Sequence, residues 1–436
     1  MPRQHSTADG GNDSGNSDSG RRIDRRTYLA SAGAAGFAAA AGCLGGQGDD
    51  TGGGNNDTGG GNNDTGGGNN DAGGENNDTG NQSGGGQDGE TTINIITWND
   101  FAQDPVVESV EENLGINLEV TTSTSSTEMF TRWNQGGDEQ FDIAVPNNNL
   151  VPRFLAADLI ESVDMDIVTN YGNIYEKFRS FVDQQFTQGG NAYGVPIRWG
   201  WYGYAYDTEA VPDHEPSYNI MFDGDYVDAD LDGEIVMYDE AAKTMPVAAL
   251  YLAEERDDSS FREALTENEQ MTFTEDQIQE MRDLLIDQKP RLEGYISSDT
   301  TFIQEFQQGN FLVGHSGRNE IVRLQENQGV ENVEFVVPQE GAMAWYETAV
   351  VSSASDNIDT AWEVVNEYIS PGTGAELARN GKSPSCNPNV AEELNEDERE
   401  LYGRIDPERI EQFIPFKDIN PDVQQTYNSA WEEVKA

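Results

Sequence analysis

Positive charge is what this sequence most lacks: 25 Lys and Arg stand against 80 Asp and Glu in 436 residues, a formal net charge of −55. A surface without basic patches cannot neutralise phosphates, so nucleic-acid binding is excluded. Cysteine is almost absent, with only Cys43 and Cys386, so there is neither a disulfide framework nor a Cys-built metal site. The three histidines, His5, His214 and His315, are far apart and show no ligand spacing, so no metal is expected. The chain also has no Walker loop, dinucleotide fingerprint or nucleophile elbow. Ser316 in Gly314-His315-Ser316-Gly317 lacks the glycine spacing of a hydrolase turn. Neither an enzyme nor a cofactor is expected. Stability must come from core burial, which roughly 345 residues from Thr91 onward can supply in two lobes.

The negative charge that is present runs through the whole folded part, as Asp and Glu interleaved with polar residues, and Lys is scarce. This is the pattern of halophilic adaptation, in which dense carboxylates keep a protein hydrated in multimolar salt. At 1 M salt, charges are screened within about 3 Å, so the acidity offers no long-range steering and says nothing about the ligand.

The N-terminal 42 residues read as an export signal. Arg21-Arg22 and Arg25-Arg26 precede an uncharged, Ala- and Gly-rich run from Tyr28 to Leu44. That run is too short and too weakly apolar for a membrane span, which takes about 20 residues. Arg25-Arg26-Thr27-Tyr28-Leu29 resembles the twin-arginine signal. Ala40-Ala41-Gly42-Cys43 resembles a lipobox with Ala in the place usually held by Leu, which makes Cys43 the expected lipidation site. One acyl chain anchors only marginally, so a diacyl modification is implied. From Cys43 to residue 90 the chain has almost no apolar side chain and repeats Thr-Gly-Gly-Gly-Asn-Asn-Asp over 51 to 78. With nothing to bury against backbone entropy, it is expected to be a flexible tether spanning on the order of 35–40 Å.

Beyond the tether the pattern is strand, helix, strand, helix, strand. Thr92–Trp98 reads as an apolar strand ending in Trp98-Asn99-Asp100-Phe101. A helix is expected over 105 to 113, with Asp104 as N-cap, Pro105 at its start and Gly115 at its end. Ile116–Thr122 alternates as a second strand. A helix near 126 to 135 opens on a possible capping box, Ser125 to Glu128, and Phe141–Val145 reads as a buried strand stopped by Pro146. This opens an α/β sheet, whose ligands sit beyond the carboxyl ends of its strands. Trp98 and Asn147 to Asn149 lie at two such ends. Farther on, Pro196 to Asp207 sets rings at alternate positions, Trp199 and Trp201, then Tyr202, Tyr204 and Tyr206, as a strand with aromatics on both faces.

In this order the motifs resemble the spermidine/putrescine-binding proteins of ABC importers, among the extracellular solute-binding proteins, here in the form of a haloarchaeal-type Tat lipoprotein. The resemblance rests on Trp98-Asn99-Asp100-Phe101, Gly115-Ile116 with the Ser125 to Met129 turn, and Gln135-Gly136-Gly137. It continues through Phe141 to Pro146, Val195-Pro196 with Trp199-Gly200, Val337 to Gly341, and Trp345-Tyr346-Glu347, covering most of 91 to 390. It implies an α/β, two-lobed periplasmic-binding-protein-like fold with a hinge and an interlobe ligand cleft. Lobe 1 would be 91–203 and 345–390, and lobe 2 would be 204–344 and 391–436.

The resemblance also implies a polyamine held by Trp98 and Trp345 as stacking rings and by Glu347 as ammonium partner. Phe101, Asn147, Glu240 and His315 line the same site, and Asp239-Glu240 forms its acidic pair. Three residues depart from the pattern: Phe101 stands for a Tyr, His315 for a stacking Trp, and Lys243 for an acidic residue. Lys243 would repel a polyammonium ligand unless it points away or pairs with Asp239. Other solutes therefore stay open: an amino-acid derivative, a thiamine-like cation, ferric ion or a sugar. The expected partners are the solute and an ABC permease and ATPase. The receptor is expected to act as a monomer on the outer face of the membrane, held through its lipid alone.

Overall fold

The computed structural model describes residues 91–403, 410 and 413–436. Arg25, Arg26, Cys43 and the heptad repeat lie outside the described residues.

The opening strands and helices follow from their sequence. Strand β1 is Thr92–Thr97 and β2 is Asn117–Thr122, paired in parallel with Ile93 opposite Leu118 and Ile95 opposite Val120. Between them runs the helix Asp104–Leu114, with Pro105 in its first turn and Gly115 in the left-handed conformation closing its end (φ 65°). Gln103, not Asp104, takes the N-cap position and offers no side-chain cap. Asp104 instead lies in the first turn, where its charge suits the helix dipole. The helix Ser126–Asn134 is capped by the Ser125 side chain, which accepts from the Glu128 N–H. The reciprocal half of the box is missing, because the Glu128 carboxylate binds the Ser123 hydroxyl and Arg132. Strand β3 is shorter than expected, Ile143–Ala144, and pairs in parallel with β1. A small hairpin, β4 (Thr187–Gln188) and β5 (Asn191–Ala192), leads to β6, Val195–Asp207, whose residues are all buried except the last.

The second half adds β7 (Ile235–Tyr238), β8 (Leu292–Ile296), β9 (Val313–Gly317) and β10 (Val333–Val336). The long β11 (Met343–Val351) and the short β12 (Ile414–Pro415) complete the set. The strand order is β2-β1-β3-β11-β6-β9-β7-β8, with β10 also on β6 and β12 also on β11. Strand β6 pairs antiparallel with β11 through residues 195–201 and with β9 through 202–206, so one continuous strand passes from one set of neighbours to the other.

Two hydrophobic cores lie on either side of this crossing. Trp199 and Trp201 belong to the first, with Ile93, Phe154 and Trp362. Tyr202 and Tyr204 belong to the second, with Leu250, Phe302 and Trp431. The period of two along β11 does the same residue by residue, with Ala344 and Tyr346 in the first core and Met343 and Trp345 in the second. The C-terminal stretch is shared rather than confined to one side. Val390 and Leu394 join Val322 in a third small cluster, Phe413 packs into the first core, and Ile414 to Val434 pack into the second.

Strand β6 has no room for a side chain at Gly203, where a methyl would strike the Val336 carbonyl of β10 and the Phe335 ring. Gly203→Ala is expected to destabilise by about 1–3 kcal/mol, as overpacking does, read as a lower denaturant midpoint at fixed salt.

Candidate ligand-binding site at the crossing strands

Arg198 on β6 lies directly opposite Glu347 on β11 in the strand register, so the backbone itself presents these side chains to one another. The guanidinium of Arg198 is 3% exposed and Glu347 4%. Nη2 donates to Glu347 Oε1 at 2.9 Å, Nε donates to Oε2, and Nη1 donates to Asp100 Oδ2 at 2.8 Å. Asp100 sits in the 3₁₀ turn Asn99–Ala102, just past the end of β1. Its Oδ2 also accepts from Arg323 Nη2 at 2.8 Å, and the same nitrogen donates to the Gly381 carbonyl at 3.1 Å. The result is a four-charge knot of two guanidinium groups and two carboxylates. Arg198 also lies 5.2 Å from the Phe101 ring centroid and 5.9 Å from that of Trp345.

Burial disfavours every charge in the knot, and mutual pairing offsets it. At Asp100 burial pushes the pKa up, but Arg198 and Arg323 outweigh it and hold the carboxyl below its ordinary range. Burial raises Glu347 above its ordinary range, although Arg198 pulls it back. Both of its oxygens accept from one guanidinium fork.

A second cluster gathers at the ends of β7, β8 and β9. Lys243 Nζ stands 4.3 Å from the Tyr238 ring centroid, 5.5 Å from that of Tyr202, and 3.2 Å from Glu240 Oε2. The His315 ring lies 5.3 Å from Tyr202 and 5.5 Å from Tyr238. The Tyr238 hydroxyl donates to Asp299 Oδ1 at 2.8 Å. Glu320 is 1% exposed, and its Oε1 accepts from Asn319 Nδ2 at 2.6 Å. Burial first, and then the neighbouring Asp299, raise Glu320 well above the usual carboxyl range. Burial, with Lys243 adding to it, lowers His315 to about 3, so its ring is neutral.

The residues singled out in the sequence distribute as follows. Trp98 caps the 3₁₀ turn and Trp345 packs over Gly200, where a Cβ would stand 2.5 Å from its ring. Phe101 is fully buried, edge-on to Tyr368, and faces Arg198 rather than open space. Asn147 makes a backbone bridge to Glu347, and Glu347 itself is engaged by Arg198. Glu240 is at the rim, with a side chain 54% exposed, and pairs with Lys243. Asp239 does not pair with Lys243 and instead binds Lys435 of the C-terminal helix.

Asp100 and Tyr202 stand in motifs the sequence marks, but sequence reasoning gives no site role to Asp100, Arg198, Tyr238, Asp299, Glu320 or Arg323. An Arg inside the aromatic run of β6 was a readable signal, since a charge there must find a partner. Asp299 and Glu320 gave none, being two acids among 80 acidic residues. A cavity of about 260 Å³ adjoins the crossing, lined by Trp201, Arg318, Ile321, Val322, Val333 and Phe335.

Two α/β cores joined by long crossing strands, with polar groups gathered at strand ends beside the crossing, define a two-lobed solute receptor. The chain belongs to the bacterial extracellular solute-binding protein family, which matches residues 106–399. This is a family of exported binding proteins, not of enzymes. A putrescine-binding periplasmic protein of Escherichia coli is 22% identical over 354 residues, covering 80% of this chain and 92% of that protein. Its counterpart in Pseudomonas aeruginosa is 21% identical over 355 residues, covering 79% and 92%. Among solved structures, a spermidine/putrescine ABC transporter substrate-binding protein of Streptococcus pneumoniae superposes with a TM-score of 0.65 at 19% identity. That match covers 79% of this chain and 99% of the other.

Two outcomes are expected. Arg198→Met strands the Glu347 charge and should cost about 3–5 kcal/mol, partly recovered when Glu347→Gln is added; denaturant midpoints of the three variants and the parent check it. His315 has a folded pKa below its ordinary 6.5, so the stability of the neutral ring is full above pH 6.5 and is lost as pH falls toward 3. Between pH 6.5 and 5 the loss reaches about 2 kcal/mol, at about 1.4 kcal/mol per pH unit. His315→Phe should lose correspondingly less stability over that range in paired denaturation curves.

Proposed function

We propose that this chain is the receptor component of an ABC importer and takes a small aliphatic amine of the polyamine kind between two lobes, 91–203 with 345–390 and 204–344 with 391–436. What carries the reading is the chemistry at the crossing strands, which already holds charged nitrogens in the way an amine needs. Lys243 sits over the Tyr238 ring with a carboxylate beside it, and Arg198 sits over Phe101 between two carboxylates. Cation–π contacts of this kind contribute roughly 0.5–2 kcal/mol each. The relatives named for putrescine agree with it. The ligand would lie against Trp98 and Trp345, with Phe101, Asn147, Glu240, His315 and Glu347 about it, and would pass to a permease and ATPase.

The same proposal has the chain exported through Arg25-Arg26, anchored by lipid on Cys43 at the outer face of the membrane, carried as a monomer on the 43–90 tether, and adapted to high salt. Cys43→Ser should then release it into the medium, and the parent's Cys43 peptide should carry a diacyl mass.

The binding test is calorimetry and thermal unfolding of the mature chain in multimolar salt with putrescine, spermidine, amino acids, thiamine, ferric citrate and sugars. An amine at a hundred times its Kd should stabilise by about 2.7 kcal/mol, and Trp345→Ala should lower its affinity at least tenfold. Stabilisation by a sugar or ferric citrate alone would replace the amine while keeping the receptor.

A further inference from the structure

The two places best suited to a ligand's ammonium groups are occupied by the chain's own cations. Arg198 fills the space between Asp100 and Glu347 under Phe101 and Trp345. Lys243 fills the box of Tyr202 and Tyr238 beside Glu240. In a chain that keeps only six lysines, one of them is held here.

Next to Lys243 stands an unmet demand. His315 is 1% exposed, and neither Nδ1 nor Nε2 has a hydrogen-bond partner among the described residues. A neutral imidazole carries one N–H, so the box contains an unpaired buried donor alongside an ammonium. Such a group is costly unless something accepts from it. A donor beside a positive charge calls for an acceptor that is itself negative.

In the first box Glu347 is paired with Arg198, and Asp100 Oδ2 with Arg198 and Arg323. In the second, Lys243 takes Glu240. An ammonium brought to the second box would meet Lys243, whereas a carboxylate there would meet that ammonium and the unpaired imidazole.

The two boxes share one strand: Arg198, in the first, and Tyr202, in the second, lie four residues apart on one face of β6, about 13 Å along it. Arg323, on the helix Arg318–Gln328, reaches Asp100 in the first. Both guanidinium bonds to Asp100 land on Oδ2, and its side chain keeps 18% exposure.

We propose that the ligand is an ω-amino acid rather than a diamine, with its carboxylate docked on Lys243 and His315 and its ammonium directed to Asp100. This rests on reading the site as a receptor for an aliphatic amine, and it names which amine.

Three four-carbon molecules that differ only at their ends decide it: putrescine, 4-aminobutyrate and succinate, each with its three- and five-carbon homologues. They are titrated calorimetrically into the mature full chain in multimolar salt. We expect an ω-amino acid to bind at least tenfold tighter than the matching diamine and diacid. Lys243→Met should lower that affinity at least tenfold without weakening the diamine, and Lys243→Glu should reverse the preference, with circular dichroism confirming that both variants fold. A diamine bound as tightly as the amino acid by the parent overturns this inference and leaves the amine receptor standing. Tightest binding of the diacid, or binding of none of the set, overturns both.

Discussion

Arg198, at 3% exposure, cannot shed its charge, so the structure around it must supply anions, and it does so from two segments far apart in the chain. Glu347 is delivered by strand register on β11, and Asp100 by the turn that follows β1. These elements are about 250 residues apart in the chain, so the knot forms only when the long crossing strands and the first sheet are assembled together. Arg323 adds a contact from the other side of the crossing. It comes from the helix after β9, and it lands on Asp100 and on the Gly381 carbonyl. The polar groups at the crossing therefore tie together elements of both hydrophobic cores.

In so acidic a chain, cations are scarce, and three of them are gathered here. Arg198 and Arg323 meet Asp100 and Glu347, and Lys243 meets Glu240, beside the rings of Phe101, Tyr202, Tyr238 and Trp345. Charges paired at contact distance in partly dehydrated surroundings interact more strongly than screened surface charges, so mispairing there is expensive.

Much of the architecture was legible in the sequence. The apolar run of β1, the Pro105 and Gly115 signals of the first helix, the Ser125 cap and the alternating aromatics of β6 are local statements about dihedral preference, capping and face, and each reappears in the structure. The half-formed capping box shows the limit of local reading. Glu128 had two ways to be satisfied, and Ser123 with Arg132 won because the fold placed them within reach. Of the candidate site, Trp98 and Asn147 were readable at strand ends, and Glu240, His315, Trp345 and Glu347 only through the family resemblance. Their partners were not.

The sequence by itself determined the class. Its order of strands and helices, with the motifs Trp98 to Phe101, Phe141 to Pro146 and Trp345 to Glu347, carries the likeness to the solute-binding family, because these signals are held by neighbouring residues. Only the tertiary structure decided what each charge does. It assigned Glu347 and Asp100 to Arg198, Asp239 to Lys435 and Glu240 to Lys243, and it left the His315 ring nitrogens without a hydrogen-bond partner among the described residues. A carboxylate's role depends on which cation shares its few ångströms of low-dielectric space. That distance is fixed by strand register and packing between segments hundreds of residues apart, which no local pattern records.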